Sequence, residues 1–151
     1  MNDKPKLKGF TLIEVLIVIG LIAILAAVTV IALNPTKNYQ DARNTERRGE
    51  ISQIMNAINQ FSLESSNAAG FSNLVGSIAS CGGTDSNIVL SSQAGGVFVG
   101  SWVVPSQIAE VPSDPSSGTV SDTGYDICKT GTRLTISAPS AEAGSTISLS
   151  R

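Results

Sequence analysis

A single carboxylate, that of Glu14, stands at the start of a long apolar segment near the N-terminus. It is followed by 19 residues without a charge, from Val15 through Leu33. An apolar helix of about 20 residues is long enough to cross the hydrocarbon core of a bilayer. Because an ionisable group on such a helix is costly, the position of Glu14 indicates a functional residue whose charge needs a partner.

The side chains needed for enzymatic chemistry are scarce. The chain contains no histidine, which excludes Ser-His and Cys-His nucleophiles and most zinc and transition-metal sites. Beyond the N-terminal lysines, only Lys37 and Lys129 could serve as amine bases. Neither belongs to a Ser-x-x-Lys pattern, and the sequence has no phosphate-binding loop. We therefore predict that the protein is not an enzyme and uses no cofactor.

Three lysines, Lys4, Lys6 and Lys8, precede the apolar segment. The positive-inside rule keeps this end in the cytoplasm, so the rest of the chain faces outward. An ordinary secretory signal has a shorter apolar region, of about 7 to 15 residues, with cleavage after it. Residues 26–27 offer a poor site for such cleavage. An uncleaved anchor that tolerates its glutamate near the interface is a further alternative.

The junction between the lysines and the apolar segment resembles a known family. Gly9-Phe10-Thr11-Leu12-Ile13-Glu14, with its Lys-rich leader and apolar continuation, is similar to the N-terminus of type IV prepilins and pseudopilins. The resemblance covers residues 1 to about 35. It implies that a membrane peptidase cleaves between Gly9 and Phe10 and then N-methylates Phe10. It also implies that Glu14 pairs with the α-amino group of Phe10 on a neighbouring subunit.

The resemblance and the residue pattern divide the chain into four segments. Residues 1–9 are the leader, 10–33 the transmembrane and filament-core helix, 34–65 its amphipathic continuation, and 66–151 a β-rich globular region. An apolar stripe at helical spacing is predicted to pack on a sheet. It consists of Ile51, Ile54, Met55, Ile58 and Phe61.

Asn34-Pro35 interrupts the predicted helix. Proline removes a backbone donor and disfavours helical geometry at the residue before it. Either one long helix kinks here, or Asn34 caps a second helix that starts at Pro35. The pilins that the chain resembles have a continuous, locally softened helix, so we favour the kink.

Charged residues of alternating sign follow on the second half of this helix. They form either a solvated helix face with weak pairs or a set of partners between filament subunits, and the sequence leaves both open. They are Asp41, Arg43, Glu46, Arg47, Arg48 and Glu50.

The remaining chain is rich in Ser and Gly and contains short runs typical of strands. The predicted strands are Asn87–Ser91, Val97–Val104, Tyr125–Lys129, Thr132–Ala138 and Thr146–Ser150, with a tight turn at residues 129–132. Strands with short connections pair antiparallel, which predicts an α+β, pilin-like fold. Residues 111–115 are predicted to be a loop because of their prolines. Trp102 is predicted to be a core anchor, with an exposed functional aromatic as the alternative.

Two cysteines, Cys81 and Cys128, lie in the region placed outside the cytoplasm. In an oxidising compartment such a pair indicates one disulfide, and Cys-x-x-Cys redox spacing is missing. Two buried free thiols are the alternative.

Aspartates in the predicted loops could form a calcium site, because some of the pseudopilins that the chain resembles bind calcium in their C-terminal domain. Asp114, Asp122 and Asp126 could supply oxygen ligands, but Asp-x-Asp-x-Asp-Gly spacing is absent. We favour solvated acids and predict no metal, with calcium as the alternative. Without residues 1–9 the chain has 7 basic and 11 acidic side chains, a formal charge of −4. Nucleic acid is therefore not an expected partner.

Together these observations predict a structural subunit of a type IV pilus or related filament. Its expected partners are a prepilin peptidase/methyltransferase, membrane lipid before assembly, the inner-membrane assembly machinery and further copies of itself. It would be a single-pass inner-membrane protein before assembly and part of a surface filament afterwards. A secretion pseudopilin or minor pilin is the alternative within the family. A membrane-anchored extracytoplasmic binding module is the alternative from another class.

Overall fold

The computed structural model describes residues 9–64, 68–83, 86–89 and 96–151. An N-terminal unit ends at Asn38, and a second compact unit begins at Tyr39. The elements are α1 (Leu12–Leu33), α2 (Pro35–Leu63), α3 (Ala68–Ser77), β1 (Ser86–Val89), α4 (Gly100–Val103), β2 (Asp122–Thr130), β3 (Arg133–Ser137) and β4 (Ser148–Ser150).

Helix α1 is apolar on every side. Its 22 residues run from Leu12 to Leu33, and all of its side chains are exposed. By length and composition it could cross a membrane. A helix that is apolar all round needs an apolar environment, because it lacks the polar face that a surface helix presents to water.

The predicted continuous helix through Pro35 is wrong. Asn34 ends α1 in the left-handed conformation, with φ of 40°, which asparagine tolerates better than most residues. Pro35 then begins α2, at the position where its missing N–H costs no hydrogen bond. The backbone C=O of Asn34 accepts from the N–H of Lys37 at 3.1 Å, and its Oδ1 accepts from the same N–H at 3.4 Å. The first helix therefore stops at Leu33, and a second helix, capped by Asn34, starts at Pro35.

The sheet is antiparallel throughout, in the order β1-β2-β3-β4. Strands β2 and β3 are joined by Gly131 and Thr132, with Thr130 facing Arg133. Gly131 has φ of 62°, a conformation that costs glycine nothing. The predicted α+β class is confirmed, and the predicted tight turn is found one residue further along, at residues 130–133.

One predicted strand, Val97–Val104, is wrong. Val97 forms only an isolated bridge with Ile88, and residues 100–103 form the short helix α4. A short apolar run has the same composition in a buried strand and a buried helical turn, so its pattern alone does not separate them. Strand β2 begins at Asp122 and strand β4 at Ser148, which shifts both predicted starts by two or three residues. Residues 90–91 of the first predicted strand lie outside the described residues.

The predicted apolar stripe of α2 forms the centre of the core. Its five residues are buried together with Ile127 of β2 and Ile136 of β3. Trp102 is half-buried against this core, and its ring lies 6.1 Å from that of Phe61. Trp102 thus packs on the core as predicted, although from α4 and not from a strand.

Cys81 and Cys128 form a disulfide, with the two Cα atoms 4.9 Å apart. Beside the bridge, the N–H of Cys81 donates to the C=O of Lys129 at 2.9 Å, and the N–H of Lys129 donates to the C=O of Ala79 at 2.9 Å. The bridge therefore ties the segment after α3 to the end of β2.

We expect Cys128→Ser to lower the free energy of unfolding by about 2 to 5 kcal/mol, because it opens a long covalent loop. The measurement is denaturation of the full chain in nonionic detergent micelles, followed by the fluorescence of Trp102, the only tryptophan. Ser80→Ala, beside the bridge, is the control and should leave the midpoint unchanged. Two thiols that alkylate freely in the native protein would contradict the bridge.

Candidate functional site

The N-terminus of α1 is organised by Thr11 and Glu14. Thr11 is the N-cap, with extended backbone, and its Oγ1 accepts from the N–H of Glu14 at 3.3 Å. The Oε2 atom of Glu14 accepts from the N–H of Thr11 at 2.9 Å and from its Oγ1 at 2.8 Å. These reciprocal bonds form a capping box, which satisfies backbone donors that the first turn leaves free.

The capping box gives Glu14 a local role that the sequence analysis missed. The signal was present, since Thr and Glu three residues apart before an apolar run are typical of a capping box. The helix dipole also favours a carboxylate in the first turn. The structure shows a hydrogen bond to Oε2 only, so within the described residues Oε1 still has its acceptor positions open.

Gly9 and Phe10 lie just outside the helix. Both residues are exposed, and Phe10 is 88% exposed. A Cβ added at Gly9 would have no atom within 4 Å. Among the described residues the peptide bond between Gly9 and Phe10 is therefore accessible, and a Cβ at position 9 meets open space.

A buried ion pair joins α2 to the loop at residues 111–118. Arg47 is 0% exposed and Asp114 is 3% exposed. The Nε of Arg47 donates to Oδ2 of Asp114 at 2.6 Å, and Nη2 donates to Oδ1 at 3.2 Å. Asp114 Oδ1 also accepts from the backbone N–H groups of Ser116 and Ser117. This two-point geometry is the strongest form of an arginine-carboxylate contact.

The loop holds Asp114 in place through its own backbone. The N–H of Asp114 donates to the C=O of Thr123 at 2.7 Å, and its C=O accepts from the N–H of Gly118 at 2.9 Å. A Cβ at Gly118 would lie 2.7 Å from that carbonyl oxygen. Glycine is required there because the chain turns back so closely on itself.

A second carboxylate, that of Glu142, completes the cluster. It accepts from Arg43 Nε and Nη2, both at 2.6 Å, and from Arg47 Nη1 at 3.0 Å. Asn44 donates its side-chain amide to the backbone C=O of Glu142 and accepts from its N–H. Every buried side-chain nitrogen and oxygen of the described residues has a hydrogen-bond partner.

These contacts answer one open question for two arginines and correct one expectation. Arg47 is buried and Arg43 is partly exposed, and both are paired inside the second unit. Asp114 is not a solvated loop acid, and its oxygens are occupied by Arg47 and the loop. The described residues contain no group of three or more Asp, Glu, Cys or His side chains placed to hold a metal.

The cluster shifts the pKa values of its carboxyl groups. Burial raises the pKa of Asp114, but the hydrogen bonds from Arg47 and the Ser116 and Ser117 amides outweigh burial and hold it well below 3.8. Hydrogen bonds from Arg43 and Arg47 lower the pKa of Glu142 to about 2.

A third carboxylate on α2, that of Glu50, contacts strand β2. The buried hydroxyl of Tyr125 donates to Glu50 Oε2. Burial raises the pKa of Glu50, although the bond from Tyr125 opposes this. Burial and the contact with Glu50 both raise the pKa of Tyr125. Glu50 is thus a further residue of the predicted charged series that is paired inside the unit.

A comparison with known protein families identifies a sequence motif at the N-terminus. A family model described as the prokaryotic N-terminal methylation motif matches residues 4–30. The chain carries the prepilin-type motif of type IV pilins and pseudopilins. Neither the curated proteins nor the solved structures give a match. The matched range includes Gly9, Phe10, Glu14 and most of α1, so the motif and the capping box are the same site.

We expect the second unit to lose stability in acid. A carboxyl group whose pKa is lower in the folded state than in the unfolded state stabilises the folded protein at pH values above the unfolded pKa. This contribution is lost as the pH falls toward and through the folded pKa. For Asp114 and Glu142 the loss begins near the ordinary values of 3.8 and 4.5. The raised pKa of Glu50 has the opposite effect on stability, because the contribution of Glu50 is lost as the pH rises.

The measurement is the thermal midpoint of the full chain in nonionic detergent between pH 5 and pH 2. We expect the midpoint to fall by about 5 °C, the effect in a domain of this size of roughly 1 kcal/mol from protonation of the buried Asp114. Glu142→Gln should flatten the fall, whereas Glu110→Gln, which removes an exposed carboxylate, should not. A midpoint that is constant over this range would contradict the assignment.

Proposed function

We propose that this chain is a structural subunit of a type IV pilus or related filament. It is cleaved after Gly9, N-methylated at Phe10 and polymerised through α1. The observation that carries the proposal is the matched motif at residues 4–30, with Glu14 in the first turn of a fully exposed apolar helix. A prepilin peptidase/methyltransferase and an inner-membrane assembly machinery are the partners that this function requires.

The exposed apolar surface of helix α1 suits two surroundings, one before assembly and one after it. Before assembly its apolar surface suits the lipid of the inner membrane, and its length matches the hydrocarbon core. In a filament, α1 helices of neighbouring subunits replace the lipid around one another. A contact of this kind repeats head to tail and does not close, which produces an open helical polymer at the cell surface.

Glu14 is proposed to set the register of this polymer. Cleavage creates an ammonium group at Phe10, four residues before Glu14, and N-methylation leaves it able to carry a proton. The free Oε1 of Glu14 can accept from the Phe10 ammonium of an adjacent subunit while Oε2 keeps its bonds to Thr11. Any register that leaves one of these charges unpaired in apolar surroundings is penalised.

The test is to shear the surface of cells that express the chain together with its assembly machinery, and to pellet the fragments. Filaments composed mainly of this chain would establish a major pilin. A trace amount in filaments of another subunit would indicate a minor pilin, and a short envelope-bound polymer would indicate a secretion pseudopilin. A cleaved chain found only as single subunits would contradict the proposal and favour a membrane-anchored binding module.

A further inference from the structure

Strand β4 forms an open edge of the sheet within the described part of the chain. Leu134 of β3 and Arg151 exchange both backbone hydrogen bonds, at 2.7 and 2.9 Å. Because facing residues alternate along an antiparallel pair, the N–H and C=O groups of Ser148 and Ser150 point away from β3. The described residues supply no hydrogen bond to these groups. The edge can therefore accept another strand.

The opposite edge of the sheet, at β1, is partly covered. The C=O of Asn87 accepts from the N–H of Val97 at 2.8 Å, and Val97 forms a bridge with Ile88. Among the described residues, β4 is thus the edge that the chain leaves to another molecule.

A groove runs between β4 and α2. It has a volume of about 240 Å³ and is lined by Arg48, Ile51 and Ser52 of α2 and by residues 146–149. Ile51 and Ile147 are buried at this place, and Leu149 is half-buried. The open backbone edge therefore borders an apolar floor.

Two arginines mark the ends of the groove. Arg48 is exposed and has no acidic residue three or four positions away on α2, where Asn44, Thr45, Ile51 and Ser52 lie. The guanidinium of Arg151 donates to Asn56 of α2 at 2.6 Å. Asn56 is eight residues beyond Arg48, so Arg48 and the residue that binds Arg151 lie about 12 Å apart along the helix axis. This cationic groove belongs to a chain with a net negative charge.

We propose that the β4 edge docks an extended acidic segment of a partner protein by strand addition. Backbone bonds to Ser148 and Ser150 supply affinity, and side chains on alternate positions supply specificity. On one face of a strand, positions four apart are separated by about 13 Å, which is close to the axial separation of Arg48 and Asn56 on α2. The preferred segment is therefore acid-x-apolar-x-acid, with its apolar side chain over Leu149.

Charge distinguishes this partner from two others. A second copy that docked edge to edge would bring Arg48 and Arg151 of both chains together, and like charges across a strand pair are unfavourable. Nucleic-acid binding draws its affinity from many neutralised phosphates, and this groove offers two guanidinium groups.

The experiment uses the full chain in nonionic detergent micelles and a fluorescein-labelled peptide, Thr-Glu-Thr-Val-Thr-Glu-Thr. We expect saturable binding by fluorescence anisotropy, weakened about tenfold or more by Arg48→Glu, which turns an attraction into a repulsion. The same peptide with lysine in place of both glutamates should not bind. Arg133→Glu makes an equal charge change and should bind normally. Arg133 precedes the buried Leu134, so it lies on the other face of the sheet.

A second variant tests the backbone contacts. Ser148→Pro removes an N–H that β3 does not use, and proline is tolerated on edge strands, so it should abolish binding while the fluorescence of Trp102 stays native. In the wild type, bound peptide should slow amide exchange at Ser148 and Ser150 selectively. No saturable binding, an equal loss in Arg133→Glu, or unchanged exchange at both serines would overturn the proposal. Tighter binding to duplex DNA, or dimerisation abolished by Arg48→Glu, would assign the groove to another ligand and also overturn it.

Discussion

Replacing Glu14 by alanine or glutamine is expected to leave membrane insertion and leader cleavage nearly intact and to reduce assembled filaments by about tenfold or more. Each variant leaves the Phe10 ammonium of a neighbouring subunit without its carboxylate, and an unpaired ion in low-dielectric surroundings costs several kcal/mol. A factor of ten requires only about 1.4 kcal/mol. The measurement compares cleaved chain in the membrane with chain in the sheared filament fraction.

Thr11→Val separates the two roles of Glu14. It removes the hydroxyl that caps α1 but keeps the carboxylate and a side chain of similar shape. Loss of an N-cap costs about 0.5 to 2 kcal/mol of helix stability, so we expect filament yield to fall much less than in Glu14→Ala. A cleaved Glu14→Ala chain that polymerises at normal yield would contradict the proposed pairing of Glu14 with the Phe10 ammonium. An equal loss in Thr11→Val would attribute the effect to the cap.

Replacing Arg47 by methionine is expected to lower the free energy of unfolding of the second unit by about 3 to 5 kcal/mol. The change leaves Asp114 buried without its countercharge and removes a donor to Glu142. Removing one partner of a buried ion pair typically has an effect of this size. Denaturation of the full chain in nonionic detergent, followed by Trp102 fluorescence, measures it.

Arg48→Met is the matched control, since it makes the same substitution one residue further along α2. Arg48 is exposed and has no ion pair among the described residues. Exposed substitutions away from such features usually change stability by less than about 0.5 kcal/mol. Similar losses in the two variants would show that the buried pair contributes nothing specific.

The parts of the fold that the sequence predicted are those with local signals. The apolar length of α1 follows from composition alone, and the spacing of Ile51, Ile54 and Ile58 defines the buried face of α2. Gly131 at a tight turn is likewise a local signal. The cleavage site, the Phe10 methylation and the Glu14 pairing remain predictions, because they concern reactions and contacts with other molecules.

The parts that the sequence did not predict depend on distant contacts or on competing local ones. Arg47 looks like its neighbour Arg48 in sequence, and only partners 67 and 95 residues away make it buried. Asn34 could stay helical or turn left-handed, and an analogy with continuous pilin helices favoured the wrong choice. Residues 97–104 match a strand in composition, but part of the segment packs as a helical turn.

Processing as a prepilin is the basis of the proposed function, and it is measured by the intact mass of the chain purified from cells with a prepilin peptidase. We expect a mature protein that begins at N-methylated Phe10 and contains one disulfide. Replacing Gly9 by leucine, at a position with open space for a Cβ, should leave the nine-residue leader attached. A mature chain that begins near Ala27, or an unprocessed chain in the presence of an active peptidase, would show that the chain is not a prepilin.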